Sequence, residues 1–248
     1  MSGQRYTALG TVARSLDVWA RNLGAALLLG ALFFSPMIIY TAVLVRDLRI
    51  AGGLTEDQVT AWWIVSTLLA YGADQLLAAP IVYGVVQELN GTHAGVGACI
   101  VQGLRRFIPV VLTVILLYVC VLIAAYPFVV PAFVLATGMY VAVPSAVCER
   151  RGALRAVTRS LTLTEGSRMR VLGLLTLFWA VRIGAKLLLI RVIDPAGRPG
   201  PLQLMLIVSL AVDFLFGTVG AVMQAVTYSR LRELRDGTST AELARIFE

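Results

Sequence analysis

The chain has 248 residues, of which 58% are hydrophobic and 14% are charged. Soluble domains carry about 25% charged residues, so this composition excludes an ordinary soluble globular protein and indicates a single integral membrane domain. The formal net charge of +7 comes almost entirely from arginine. In a membrane protein such an excess is typical of cytoplasmic loops, and we therefore expect no nucleic-acid partner.

The N-terminal segment, residues 6–22, is predicted to be an amphipathic helix at the membrane interface, because Leu9, Val12, Leu16 and Trp19 recur at three- and four-residue spacing. Long apolar segments after it predict an all-α bundle of six transmembrane helices, followed by a cytoplasmic tail over residues 229–248. The predicted spans are approximately 23–45, 62–86, 107–126, 130–147, 171–193 and 202–228. Pro36 is predicted to kink the first of them, where neighbouring groups can satisfy the freed carbonyl.

The segment Phe107–Cys148 organises this prediction. Its forty-two residues include no Asp, Glu, Lys, Arg or His. At 1.5 Å per residue it is too long to cross a hydrocarbon layer of ~30 Å once and suits two crossings. Pro127 and Pro131 cannot both lie within an unbroken helix, so a hairpin of two membrane helices is predicted, with its turn at one membrane face.

The most basic stretch follows this hairpin and includes Arg150, Arg151, Arg155 and Arg159. An apolar stripe of Leu154, Val157 and Leu161 predicts a short helix lying flat on the membrane. Six spans place both termini on one side, and fifteen arginines fall on that side against four on the other. The positive-inside rule then predicts that both termini lie in the cytoplasm.

Four charged residues fall inside the predicted spans: Asp74, Arg182, Lys186 and Asp213. A charge at the bilayer centre costs about 2.5–3.5 kcal/mol on insertion scales, so each needs a partner or a wet cavity. Helical rise places all four at about 17–22 Å from the cytoplasmic ends of their helices. We predict one network, which serves either as an ionic clasp between helices or as a site for an ion, a proton or an anionic substrate. Snorkelling of either cation to the interface remains a third interpretation.

No catalytic or metal-binding set emerges from the sequence. The sole histidine, His93, lies in a glycine-rich connection, and no phosphate-binding Gly-Lys-Ser/Thr loop exists. The three cysteines have no metal-type spacing and are interpreted as packing residues. We therefore predict that the protein is not an enzyme and holds neither a cofactor nor a metal.

The region from Val143 to Gly166 carries a recognisable pattern: a helix ending in proline, then an acid, a glycine, an Ala-Leu pair, an Arg-Ser pair and a Leu-Thr-x-Gly exit. Its positions here are Pro144, Glu149, Gly152, Ser160 and Gly166. With the tail from Tyr228, this pattern resembles the bacterial polytopic membrane family named for the membrane domain of glycerophosphoryl diester phosphodiesterase, and related inner-membrane proteins. The resemblance implies a multi-helix membrane fold and a place in the inner membrane of a bacterial cell. It implies no phosphodiesterase activity, because the separate catalytic barrel domain has no counterpart in this chain.

Four of these five residues also have physical interpretations. Pro144 is predicted to bend the fourth span, Glu149 to cap or pair with the arginines of the flat helix, and Gly152 and Gly166 to allow sharp turns.

Two functions follow from these patterns. The first is a non-enzymatic scaffold that binds membrane lipids, a protein partner or a second copy of the chain. It would use Arg150, Arg151, Arg155 and Arg159 at the cytoplasmic leaflet and a groove around the hairpin. The alternative is a transporter or permease that uses the mid-membrane charges as its site. A cavity that reaches Asp213 from either face would favour transport, and a dry paired network would favour the scaffold.

Overall fold

A computed structural model describes residues 8–51, 55–89, 95–125, 129–149, 152–193 and 202–237. All regular structure in these ranges is α-helical, which confirms the predicted all-α class. The ten helices of the described ranges are α1 (Ala8–Arg21), α2 (Leu23–Ala51), α3 (Glu56–Leu89), α4 (Val96–Arg105), α5 (Phe107–Ala125), α6 (Val129–Met139), α7 (Ala142–Cys148), α8 (Ala153–Thr164), α9 (Arg168–Ile193) and α10 (Leu202–Asp236).

Five helices in the described ranges are long and apolar enough to cross a membrane. They occupy Leu23–Asp47, Glu56–Leu89, Phe107–Ala124, Arg168–Ile193 and Gln203–Asp236. Large apolar side chains such as Ile108, Leu188 and Val192 are exposed on the outside of the bundle, where lipid rather than water would cover them. The architecture is that of a multi-pass helical membrane protein.

The fourth predicted span, 130–147, is not one helix but two, α6 and α7, separated by a turn at Tyr140 and Val141. Pro144 explains the break, because it has no N–H to donate to the carbonyl of Tyr140 and its ring would clash there. Nε2 of Gln224 on α10 donates a hydrogen bond to that carbonyl instead. A side chain of another helix thus satisfies the backbone group that proline leaves free.

Two side chains of α8 likewise donate hydrogen bonds to a backbone carbonyl near the end of α6. Ser160 Oγ donates to the carbonyl of Gly138 at 2.7 Å, and Thr164 Oγ1 donates to the same oxygen at 3.3 Å. In the first span, the side chain that satisfies the free carbonyl belongs to the same helix. There α2 continues through Pro36, and Ser35 Oγ donates to the carbonyl of Leu32 at 2.7 Å.

The centre of the bundle is formed by α3 and α10, which pack along each other, with α2 against both. All seven residues of α7 are buried, so this short helix lies inside the protein rather than at its surface. The helices α5 and α6 pack together as the two arms of the predicted hairpin. The predicted turn at Pro127 lies outside the described residues.

The short amphipathic helices α1 and α8 each bury one face in the bundle and leave some large apolar residues exposed. Helix α1 packs on α10 and buries Thr11, Ser15 and Val18, whereas Leu9 and Leu16 of the predicted stripe are exposed. Helix α8 buries Ala156, Val157, Ser160, Leu163 and Thr164, and Leu154 of its predicted stripe is exposed. The buried faces of both helices therefore combine small and polar residues with apolar ones, which periodicity of large apolar residues does not detect.

Residues 87–106, which join the second and third predicted spans, contain a further helix, α4. Cys99 Sγ of α4 lies 3.3 Å from the position that a Cβ on Gly84 would take, and Gly103 packs equally closely on Pro80 of α3. These small residues let α4 dock on α3, so the segment belongs partly to the packed bundle.

Candidate functional site

The structure brings the four intramembrane charges together in one network. Arg182 Nη1 lies 2.9 Å from Oδ2 of Asp74, and its Nη2 lies 2.8 Å from Oδ1 of Asp213. Lys186 Nζ lies 2.7 Å from Oδ1 and 2.8 Å from Oδ2 of Asp213. Helix α9 supplies both cations from one face, because residues four apart in a helix are neighbours.

Arg182 is the centre of this network. Its side chain is 5% exposed, and its planar guanidinium donates to one carboxylate on α3 and another on α10. Arg182 Nε also donates to Asp213 at 3.2 Å, so one arginine engages both acids through three of its donors. The ring of Trp179 lies 5.0 Å from the guanidinium carbon and adds a cation–π contact.

Asp74 reaches this position because α10 carries a glycine opposite it. A Cβ on Gly217 would overlap Asp74 Oδ1 and the ring of Phe34, so any other residue here would have to displace these side chains. Oδ1 of Asp74 is buried against this backbone and has no hydrogen-bond partner among the described residues. The close approach of α3 to α10 therefore sets the depth and the orientation of this carboxylate.

A large cavity, of about 640 Å³, reaches all four charges from one side. Its walls come from residues 62–74 of α3, 179–186 of α9 and 206–213 of α10, together with parts of α2, α5 and α6. Most of the lining side chains are aliphatic or aromatic. Binding sites for small molecules commonly measure 300–1,000 Å³ and combine apolar walls with a few polar groups, as this cavity does.

A small cavity, of about 150 Å³, touches the network from the other side. Its walls come from residues 71–75 of α3, 175–182 of α9 and 216–224 of α10, and the side chains of Gln75 and Gln224 lie at its far end. The two cavities follow each other along the bundle and share a boundary layer. The residues common to both are Tyr71, Asp74, Val121, Phe133, Ala136, Trp179 and Arg182.

A second charged cluster holds α8 to the end of α10. Arg159 Nε lies 2.9 Å from Oε1 of Glu149, and Nη2 of the same arginine donates to Asp236. The Tyr228 hydroxyl also lies 3.2 Å from Glu149 Oε1. Partial burial lowers the pKa of Arg159, but the hydrogen bonds and charges of Glu149 and Asp236 outweigh it and raise that pKa above its usual value.

This cluster corrects the role predicted for Arg159. Its side chain is 19% exposed and is engaged by two carboxylates, so it does not extend toward lipid phosphates. Arg155, one turn earlier, is exposed. Arg150 and Arg151 lie outside the described residues, so the predicted basic surface is represented by Arg155 alone among the residues that the structure describes.

The two glycines of the pattern have different conformations. Gly166 has φ +80°, the left-handed region that only glycine adopts without strain, and it ends α8 with the predicted sharp turn. Gly152 precedes α8 with φ −69° and ψ 163°, an extended conformation that any residue adopts. The backbone conformation at residue 152 therefore does not require glycine, contrary to the prediction.

Replacing Arg159 with alanine is expected to lower the free energy of unfolding by about 2 kcal/mol, because the nearly buried carboxylate of Glu149 loses a charged donor. The matched variant Arg155→Ala, on the exposed side of the same helix, should stay within about 0.5 kcal/mol of the parent. A denaturant titration in mixed detergent micelles measures both. Equal losses would contradict the distinction between the two arginines.

Several residues of the candidate site were not predicted from the sequence. Gly217, Gln224 and Trp179 lie in long apolar helices, and neither glycine nor tryptophan is unusual there. Gln224 carried a usable signal, because a polar amide inside a membrane span needs a partner. The sequence gives no signal for Tyr71 and Phe133, because they belong to the site only by lining the boundary between the two cavities.

Within the described ranges, no group of three or more His, Cys, Asp or Glu side chains could hold a metal ion. His93 lies outside those ranges. Comparison of the chain with protein-family models, with curated proteins and with solved structures finds no match.

Proposed function

We propose that this protein is a non-enzymatic transporter or permease that binds a small molecule at the mid-membrane charge network. One observation carries the proposal. A neutral set of two acids and two cations lies between two cavities, and the larger cavity reaches Lys186 and Asp213. An ionic clasp needed only for stability would be expected in a close-packed region, because unfilled space next to charges loses packing without any structural gain.

The arrangement suits alternating access to a shared site. The boundary layer includes the aromatic rings of Tyr71, Phe133 and Trp179, which can change rotamer without unfolding a helix. Helix α6 borders both cavities, and the break that follows it, at Tyr140, borders the small one. Discontinuous helices at the membrane midplane are a recurring feature of transporter sites.

The proposed topology has six crossings, with both termini in the cytoplasm of a bacterial cell. The segments α6 and α7 together span 129–148, which at 1.5 Å per residue corresponds to about 30 Å and is sufficient for one crossing. The excess of arginine on the side of the termini supports this orientation. The large cavity would then face outward and the small cavity inward. Membership in the family named above remains part of this proposal.

Cysteine labelling tests water access. In a chain with Cys99, Cys120 and Cys148 replaced by alanine, Ser209→Cys lines the large cavity and Ala221→Cys lines the small one. A charged methanethiosulfonate reagent should label residue 209 from outside and residue 221 only from the cytoplasmic side. Leu215→Cys, on the exposed apolar face of α10, is the matched control. It should react at least about tenfold more slowly, because a thiolate does not form in hydrocarbon.

If Ser209→Cys reacts as slowly as Leu215→Cys, the large cavity is closed to water and the transport proposal fails. The scaffold would then be the better proposal. The specific observation that favours it is the cluster of Glu149, Arg159 and Asp236, which fixes α8 to the end of α10 and leaves Arg155 exposed for a lipid headgroup or a partner.

A further inference from the structure

The charged groups that face the large cavity differ in how many hydrogen bonds they can still form with a ligand. Asp213 Oδ1 already accepts from Arg182 and Lys186, and its Oδ2 accepts from Lys186. Oδ2 of Asp74 accepts from Arg182, and its Oδ1 is buried against Gly217 and Phe34. Asp74 Oδ1 has no partner among the described residues but is enclosed by this packing, so a cationic ligand would have to displace Arg182, Lys186 or the packing around Asp74 before it reached a carboxylate oxygen.

Donors are more accessible than acceptors at this site. The side chain of Lys186 is 29% exposed, compared with 8% for its partner Asp213. If Lys186 turns toward a ligand, Asp213 keeps two hydrogen bonds from Arg182, at 3.2 and 2.8 Å, so the carboxylate is not left unpaired.

A second donor lies farther along the same cavity. The indole N–H of Trp62, near the start of α3, is buried and has no hydrogen-bond partner among the described residues. A buried donor without an acceptor costs about 1–3 kcal/mol, which a ligand oxygen would recover. Both observations indicate a ligand whose polar atoms accept hydrogen bonds.

The rest of the cavity indicates the other part of the ligand. Its rim includes Leu68, Leu122 and Ile183, which are also exposed on the outer surface of the bundle. The cavity is thus bordered by side chains that would contact the hydrocarbon layer. An apolar chain could enter between α3, α5 and α9 without crossing water.

We infer that the large cavity takes an anionic amphiphile, with a carboxylate or phosphate head on Lys186 and an apolar chain along the walls of α5 and α9. This inference names the substrate class of the proposed function and rests on it. The ammonium supplies the charge, and the apolar walls supply most of the contact area. The chemistry is shared by free fatty acids and by single-chain phosphate lipids, which the experiment separates.

The test measures equilibrium binding to the full-length protein in nanodiscs of zwitterionic lipid. The probes are radiolabelled hexadecanoate, hexadecyl phosphate, hexadecanol and hexadecylamine. We expect one or both anions to bind at least about tenfold more tightly than the alcohol and the amine. The tighter of the two anions identifies whether a carboxylate or a phosphate is preferred.

Lys186→Gln should weaken binding of the preferred anion about tenfold and leave binding of the alcohol unchanged. Lys186→Arg should restore most of the lost affinity. Arg191→Gln, at an exposed position near the end of the same helix, is the matched control and should change neither. Thermal unfolding midpoints of the variants, measured on the same samples, show whether they are folded.

Equal binding of all four probes, or anion binding that Lys186→Gln leaves intact in a folded protein, would overturn the substrate class. In both cases the labelling of Ser209→Cys would still support an accessible cavity, so the proposed function would stand. Absence of binding by every probe, together with slow labelling at residue 209, would overturn both.

Discussion

Replacing Arg182 with methionine is expected to lower the free energy of unfolding by about 3–5 kcal/mol, more than any other single substitution in this protein for which we predict a value. Methionine fills similar space but leaves two carboxylates without their shared cation, and Asp74 forms no other ion pair among the described residues. Breaking a buried ion pair from one side costs this much because an uncompensated charge remains in a medium of low dielectric constant. A denaturant titration in mixed detergent micelles measures the loss.

The double variant Arg182→Met with Asp74→Asn separates charge from packing. It removes one cation and one anion and keeps the pair of Lys186 with Asp213. We expect it to recover more than half of the loss of the single variant, because replacing a buried pair by neutral groups of similar volume is often nearly neutral. A single variant that loses less than about 1 kcal/mol would mean that water in the cavities already solvates these carboxylates.

The second large effect is expected at Gly217. Alanine there should destabilise the protein by about 1–3 kcal/mol, because its Cβ would overlap Asp74 Oδ1 and the ring of Phe34. The clash pushes α10 away from α3 and pulls Asp74 off Arg182. Besides stability, the variant should therefore lose affinity for any ligand that the network holds.

Gly184→Ala on α9 is the matched control, since a Cβ at that position meets nothing within 4 Å. It should leave stability unchanged or raise it slightly, because alanine favours a helix over glycine. Both variants are compared by thermal unfolding in the same detergent. A Gly217→Ala variant as stable as Gly184→Ala would show that α3 and α10 are not in close contact at Asp74.

The charge network shows how far sequence reasoning reaches. Asp74, Arg182, Lys186 and Asp213 could be assigned to one layer because helical rise converts residue number into depth, and because four isolated charges in lipid are too costly to leave apart. Helical rise gives the depth of a residue along its helix, but it does not give the direction in which the side chain points around the helix axis. That Arg182 holds both acids, while Lys186 holds one and faces the cavity, depends on which helix faces meet.

The fourth span shows what sequence reasoning could not predict. Pro144 is visible in the sequence and predicts a disturbance, but a bend and a complete break have the same local signal. The break leaves backbone carbonyls free, and these require hydrogen-bond donors from elsewhere in the chain. Gln224, Ser160 and Thr164 supply the donors, and they come from positions about 20 to 80 residues away.

Composition and apolar periodicity by themselves determined that the chain is an all-helical membrane protein and which charges must find partners inside it, because lipid permits few backbone structures and penalises isolated charges. The tertiary structure alone decided which arginine of α8 pairs with Glu149, that Asp236 joins this pair, and that two cavities meet at Arg182. These facts depend on the relative rotation and spacing of packed helices, which small residues such as Gly217 control through close contacts that no local pattern in the sequence reveals.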